Sequence, residues 1–166
     1  MKTLAAVPLL AALAAPCPAA ERPHQHGVVR LDVAVDARRI TLMLDSPLDS
    51  LVGFERAPRS DAERAQLDAA LARLRAADTL FVIGGAAQCT LAKVDLPPAE
   101  PDADGHADIE ATITFDCADA RRAAAVDTAL FEAFPRIQRI EVQAVTPKGQ
   151  FKATLKRPAT RLPLVR

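Results

Sequence analysis

From residue 28 to residue 35 apolar and polar positions alternate, with Val29, Leu31, Val33 and Val35 on one side and Arg30, Asp32 and Ala34 on the other. That period of two is the signature of a half-buried strand. Asp36-Ala37-Arg38-Arg39 makes a turn and Ile40-Thr41-Leu42-Met43-Leu44 returns, so the pattern predicts a hairpin. Ser46-Pro47 then predicts a short helix, with Ser46 as N-cap and Pro47 at the first helical position, ending near Gly53.

After Arg56-Ala57-Pro58-Arg59, Ser60-Asp61-Ala62-Glu63 has the spacing of a capping box. Leu67, Ala70, Leu71 and Leu74 follow on one helical face, with Arg64, Asp68, Arg73 and Arg75 on the others. Thr79 to Ile83 predicts a short strand stopped by Gly84-Gly85. Residues 89–96 and 108–117 predict a hairpin about the loop at 97–107. Residues 118–134 predict a second long helix, with Asp119 as cap, Ala123, Val126, Leu130 and Phe134 on the buried stripe, and Pro135 ending it. Residues 137–146 and 151–156 predict a last hairpin about Thr146-Pro147-Lys148-Gly149, and residues 158–166 a proline-punctuated tail. The order predicts an α+β fold, antiparallel hairpins packed with two main helices, rather than a parallel α/β sheet.

The first residues change the picture of where the chain works. Met1-Lys2, an apolar run at 4–15 and Cys17-Pro18-Ala19-Ala20 read as an export signal over residues 1–20, leaving one domain at 21–166 in the periplasm. Leu13-Ala14-Ala15-Pro16-Cys17 also resembles a lipoprotein box, the alternative in which Cys17 anchors the chain. No segment reaches the roughly 20 apolar residues of a membrane span. With the signal removed two cysteines remain, Cys89 and Cys117, opposite each other at the open end of their predicted hairpin. In an oxidising compartment they read as one disulfide, worth roughly 3–4 kcal/mol in the chain-entropy model. Lys plus Arg equals Asp plus Glu at 21 each, and basic residues are scattered, which argues against nucleic acid as a partner.

Chemistry concentrates on the three histidines. His24 and His26 are two apart, so in an extended chain both face one way, and His106 sits in an acidic loop beside Asp108 and near Asp102 and Asp104. His24, His26, His106 and Asp108 are together a candidate tetrahedral Zn²⁺ site if the loop reaches the N-terminal segment. The alternative is a frayed terminus and a solvated loop. Pro23 removes an amide that an N-terminal copper site needs, and a calcium loop beginning at Glu100 would have Ala111 at its twelfth position. Ser46, Ser50 and Ser60 lie in no Gly-x-Ser-x-Gly elbow, glycines are too dispersed for a phosphate cradle, and no enzyme is predicted.

Several segments, taken in order, resemble a family of periplasmic proteins typified by ZrgA. They are His24-Gln25-His26-Gly27 with its strand, Ser46-Pro47 leading to Leu51-Val52-Gly53-Phe54-Glu55-Arg56-Ala57-Pro58, Cys89-Thr90-Leu91, His106-Ala107-Asp108-Ile109-Glu110 ending at Cys117, Leu130-Phe131-Glu132-Ala133-Phe134-Pro135, and Ile140-Glu141-Val142-Gln143 to Thr146-Pro147. The resemblance implies zinc binding and uptake beside an ABC-type importer. Two departures lower the metal capacity it implies: the histidine-rich insert is reduced to residues 97–106 with one His, and Arg56 stands where the family has His. A metal-free envelope adaptor is the second functional expectation.

Overall fold

The alternation read from the sequence becomes a six-stranded mixed sheet in the order β4 (Cys89–Asp95), β5 (Asp108–Cys117), β2 (Arg39–Pro47), β1 (Val28–Val35), β7 (Arg139–Thr146), β8 (Gly149–Lys156). The structure is a computed structural model that describes residues 25–99 and 105–164. The predicted signal with Cys17, Pro23, His24, Asp102 and Asp104 lie outside the described residues. β1 (Val28–Val35) and β2 (Arg39–Pro47) form the first hairpin, and β4 (Cys89–Asp95) and β5 (Asp108–Cys117) the second. β7 (Arg139–Thr146) and β8 (Gly149–Lys156) form the third, and β7 runs parallel to β1. The central pairing joins two hairpins: β5 lies antiparallel to β2, from Arg39 opposite Asp116 to Pro47 opposite Asp108.

Val29, Leu31, Val33, Ile40, Leu42, Leu44, Ile109, Ile113, Ile140 and Val142 all bury on one face of that sheet. They form one cluster with Leu74, Leu80, Phe81, Val126, Leu130 and Phe134. Alternate residues such as Asp32, Met43, Glu110, Thr112 and Gln143 are exposed on the other face, as a sheet packed on one side only requires. The α+β class stands.

α1 (Leu48–Val52) begins later than its predicted cap, because β2 continues through Pro47. Ser46 is fully buried and its hydroxyl donates to the Pro47 carbonyl at 3.2 Å instead of capping. Gly53 closes α1 with φ +85° and donates its N–H to Asp49 O at 2.8 Å. α2 (Asp61–Arg75) starts where the capping spacing puts it, Ser60 Oγ accepting from Glu63 N at 3.1 Å. The reciprocal half of the box is altered: Glu63 accepts from Arg59 N, not from Ser60 N. The strand expected from Thr79 is shorter, since α3 (Ala77–Leu80) precedes β3 (Phe81–Ile83).

The second long helix is a correction. Asp119 caps a single 3₁₀ turn, Ala120–Arg122, and the chain then extends as β6 (Ala125–Thr128) before the one-turn α4 (Leu130–Ala133). Ala123, Val126, Leu130 and Phe134 are all buried, as their spacing predicts, but they come from different local structures. Tertiary pairing overrides alanine's helical preference here: β6 sits between β3 and β9 (Arg161–Pro163) in a second antiparallel sheet. The proline-rich tail therefore supplies an edge strand, with Pro163 at its end, where a missing N–H is tolerated.

Cys89 and Cys117 are direct partners in the β4–β5 register and are joined by a disulfide. This is the pairing expected from the hairpin.

Candidate functional site

Three segments leave the large sheet at one end of its central strands, and the sheet order decides which of them meet. β2 lies between β1 and β5, and Pro47 at its end is opposite Asp108 at the start of β5. Continuing the Arg30–Asp45 pairing by two residues brings Val28, the first residue of β1, to the same row. His26 is two residues before Val28, and His106 two residues before Asp108. The chain leaving β2 forms α1 between them, and Glu55 follows two residues after Gly53.

His26 is held by a tight turn. Val28 N donates to Gln25 O at 3.1 Å, and Gly27 takes φ +76°, as the third residue of a type II turn must. Gly27 N donates to the buried Ser50 Oγ at 2.8 Å, while Gly27 O accepts from Gln138 N at 2.8 Å and Arg139 N at 3.1 Å. The N-terminal segment is thus fastened to α1 and to the start of β7. The Leu48 N–H donates to Ala107 O at 2.9 Å, which ties the residue after His106 to the first turn of α1.

Glu55 is the common neighbour of both rings. Its Oε1 lies 2.5 Å from His26 Nε2, and its Oε2 is in close contact with His106 Nδ1. The carboxylate is 16% exposed, against 60% for the His26 side chain and 47% for that of His106, so the imidazoles form an accessible rim over a sunken anion. Glu55 Oε1 is buried without an aligned hydrogen bond, and His26 Nε2 at 2.5 Å is its polar neighbour. Asp49 supplies a second carboxylate, with Oδ2 3.7 Å from His26 Nδ1. Arg136 holds it by donating Nε–H to Asp49 O at 3.0 Å and an NH2 proton to Oδ1 at 3.3 Å.

Two imidazoles and a carboxylate are zinc donors in kind. Two donors on one tetrahedral zinc, each bonded at about 2.0–2.1 Å, stand roughly 3.3 Å apart. The Glu55–His26 contact is shorter than that, so the side chains touch one another instead of surrounding a point. Accordingly, among the described residues no group of three or more His, Cys, Asp or Glu side chains is arranged to hold a metal ion. Opening the Glu55–His26 contact by less than about 1 Å would bring that pair to the spacing of two zinc donors.

Of the sequence-predicted ligands, His26 and His106 are brought together. Asp108 opens β5, half-buried, opposite Pro47. Glu55 and Asp49 were not singled out by the sequence pattern. Glu55 lies just past the Gly53 helix stop, inside one of the segments that carry the family resemblance, and its role shows once β5 is placed against β2.

No helix among the described residues is long and apolar enough to cross a membrane. No individually curated protein matches the chain. The family described as ZrgA family zinc uptake protein matches residues 23–164, from just before the histidine turn to the last described strand, and the chain belongs to that family.

Proposed function

We propose that this chain is a non-enzymatic periplasmic zinc-binding accessory protein that serves zinc uptake, passing the ion towards an ABC-type importer. The nitrogen donors are His26 and His106, joined by His24 from the N-terminal segment. The oxygen donor in this reading is Glu55 in preference to Asp108, because Glu55 touches both rings. The observation that carries the proposal is that single carboxylate between two imidazoles delivered from separate strands. A histidine and carboxylate site at an exposed rim exchanges its ion more readily than a closed thiolate site, which suits delivery.

Isothermal titration with Zn²⁺ tests it. The wild-type chain should bind one equivalent, and Glu55→Gln, His26→Ala/His106→Ala and His24→Ala/His26→Ala should each lose stoichiometric binding while keeping the fold. Wild-type affinity in the His26→Ala/His106→Ala variant would reject the assignment. Mature N-terminal sequencing of the exported protein tests the periplasmic reading, and recovery in a membrane fraction lipidated at Cys17 would replace it with the anchored form.

A metal-free envelope adaptor is the second reading, favoured by donors that touch rather than encircle a centre. Absence of zinc binding by the wild-type chain would select it.

A further inference from the structure

Glu55 is followed directly by an arginine, and a guanidinium is the side chain best shaped to fork onto a carboxylate. Consecutive Cα atoms are about 3.8 Å apart, well within the reach of an arginine stem. A guanidinium settled on Glu55 would neutralise the charge that faces His26 and His106.

The structure turns that group elsewhere. Arg56 donates from NH1 to Glu63 Oε2 and from NH2 to Glu63 Oε1, both at 2.8 Å, and its NH1 also donates to Ala57 O at 3.1 Å. The guanidinium carbon lies 5.6 Å from the Phe54 ring centroid. Glu63 is itself fixed, in the first turn of α2 behind the Ser60 cap, and its Oε2 accepts from Arg59 N at 2.6 Å. A carboxylate near a helix N-terminus is favoured by the helix dipole, so Glu63 is a strong competitor for Arg56. A second guanidinium beside the histidines, that of Arg136, is occupied by Asp49. Among the described residues, Arg56 and Arg136 beside the site thus each have a carboxylate of their own, and Glu55 is left to the imidazoles.

We infer that Glu63 is a positioning residue for the zinc site, keeping Glu55 available by holding Arg56 away from it. The inference rests on the zinc reading above, but it makes a distinct claim about sign. Removing Glu63 harms the site only while Arg56 is present.

The test compares wild type, Glu63→Gln, Arg56→Gln and the double variant by competition titration with Zn²⁺. It also follows the His26 and His106 ring resonances in the metal-free full chain by NMR. Glu63→Gln should bind zinc about tenfold more weakly, in the range seen when groups supporting a metal ligand are removed. The double variant should return to within about threefold of wild type, an expectation set against that same scale. In the metal-free protein the ring resonances should move in Glu63→Gln and return in the double variant.

A merely structural clamp predicts the opposite, a double variant at least as weak as Glu63→Gln, and that result overturns the inference. Unmoved ring resonances in folded Glu63→Gln overturn it too. Should Glu63→Gln fail to fold, Arg56→Gln alone decides: affinity equal to or tighter than wild type supports the inference, and weaker affinity overturns it. If wild type binds no zinc, the zinc reading falls, while the ring resonances still decide whether Glu63 controls access of Arg56 to Glu55.

Discussion

The two ends of β5 are built on different principles. At its far end Cys117 is 4% exposed, covalently bound to Cys89 directly across the β4 ladder, and its N–H donates to Arg38 O at 2.8 Å. At its near end His106 is half exposed and meets the rest of the molecule at Glu55 and, through Ala107, at Leu48. One end carries a covalent staple and the other a set of polar contacts at the surface. The difference teaches a division of labour. A strand locked at one end can present a ligand at the other whose contacts rearrange by fractions of an ångström without loosening the sheet.

The largest effect should come from breaking the covalent end. Replacing both Cys89 and Cys117 with Ala removes a cross-link spanning 28 residues, at a cost of about 3–4 kcal/mol. Calorimetry should show Tm lower by on the order of 10 °C. Zinc affinity of the folded variant should stay within about threefold of wild type, since groups beyond a ligand's immediate supports have little leverage on it. A large loss of affinity in folded protein would mean that the two ends are coupled, and the division would fail.

Next is the turn that carries His26. A Cβ at Gly27 would lie 2.9 Å from Gln138 Cγ and Cδ, and the φ of +76° is one that L side chains resist. Gly27→Ala should therefore lose about 1–2 kcal/mol, read by denaturant titration, and should weaken zinc binding as well. It is expected to damage stability and site together. Loss of stability with unchanged zinc affinity would show that His26 does not depend on its turn.

The histidines themselves should matter little to the fold. Their side chains are 60% and 47% exposed, so His26→Ala/His106→Ala should change stability by no more than about 0.5 kcal/mol per site while zinc binding is lost. A much larger destabilisation would make the cluster a structural polar network.

The covalent end was far easier to read in the sequence than the histidine end. Cys89 and Cys117 sit in one local hairpin, and a hairpin's register follows from its own alternation. The start of α2 was legible for the same reason, because Ser60 acts within its own helical turn. The histidine cluster depends on β5 pairing with β2, a contact between two hairpins that no local pattern encodes. Without it Glu55 is one carboxylate among many. The segment at 118–134 failed in a related way. Ala123, Val126, Leu130 and Phe134 are buried at helical spacing, yet β3 and β9, distant in sequence, draw Ala125 to Thr128 into a strand.

The smallest effect separates the ends by pH. A disulfide does not titrate over the range in which a carboxylate does, whereas the histidine end leans on the Arg56–Glu63 pair. The Arg56 fork, aided by the Arg59 N–H, holds the Glu63 carboxyl down to about 2. An unfolded glutamate titrates near about 4.3. Because the folded value is the lower one, the pair's contribution to stability is complete above about 4.3 and is lost as pH falls through about 2. Carbon-detected NMR of the Glu63 carboxyl should find it still ionised at pH 3, and Arg56→Gln should move its titration up towards the ordinary range. Some depression should remain in that variant, because the Arg59 N–H still donates to Oε2. If wild-type Glu63 titrates as an ordinary glutamate, the Arg56–Glu63 fork is not maintained in solution. The histidine end would then lack the charge pairing that keeps Arg56 from Glu55.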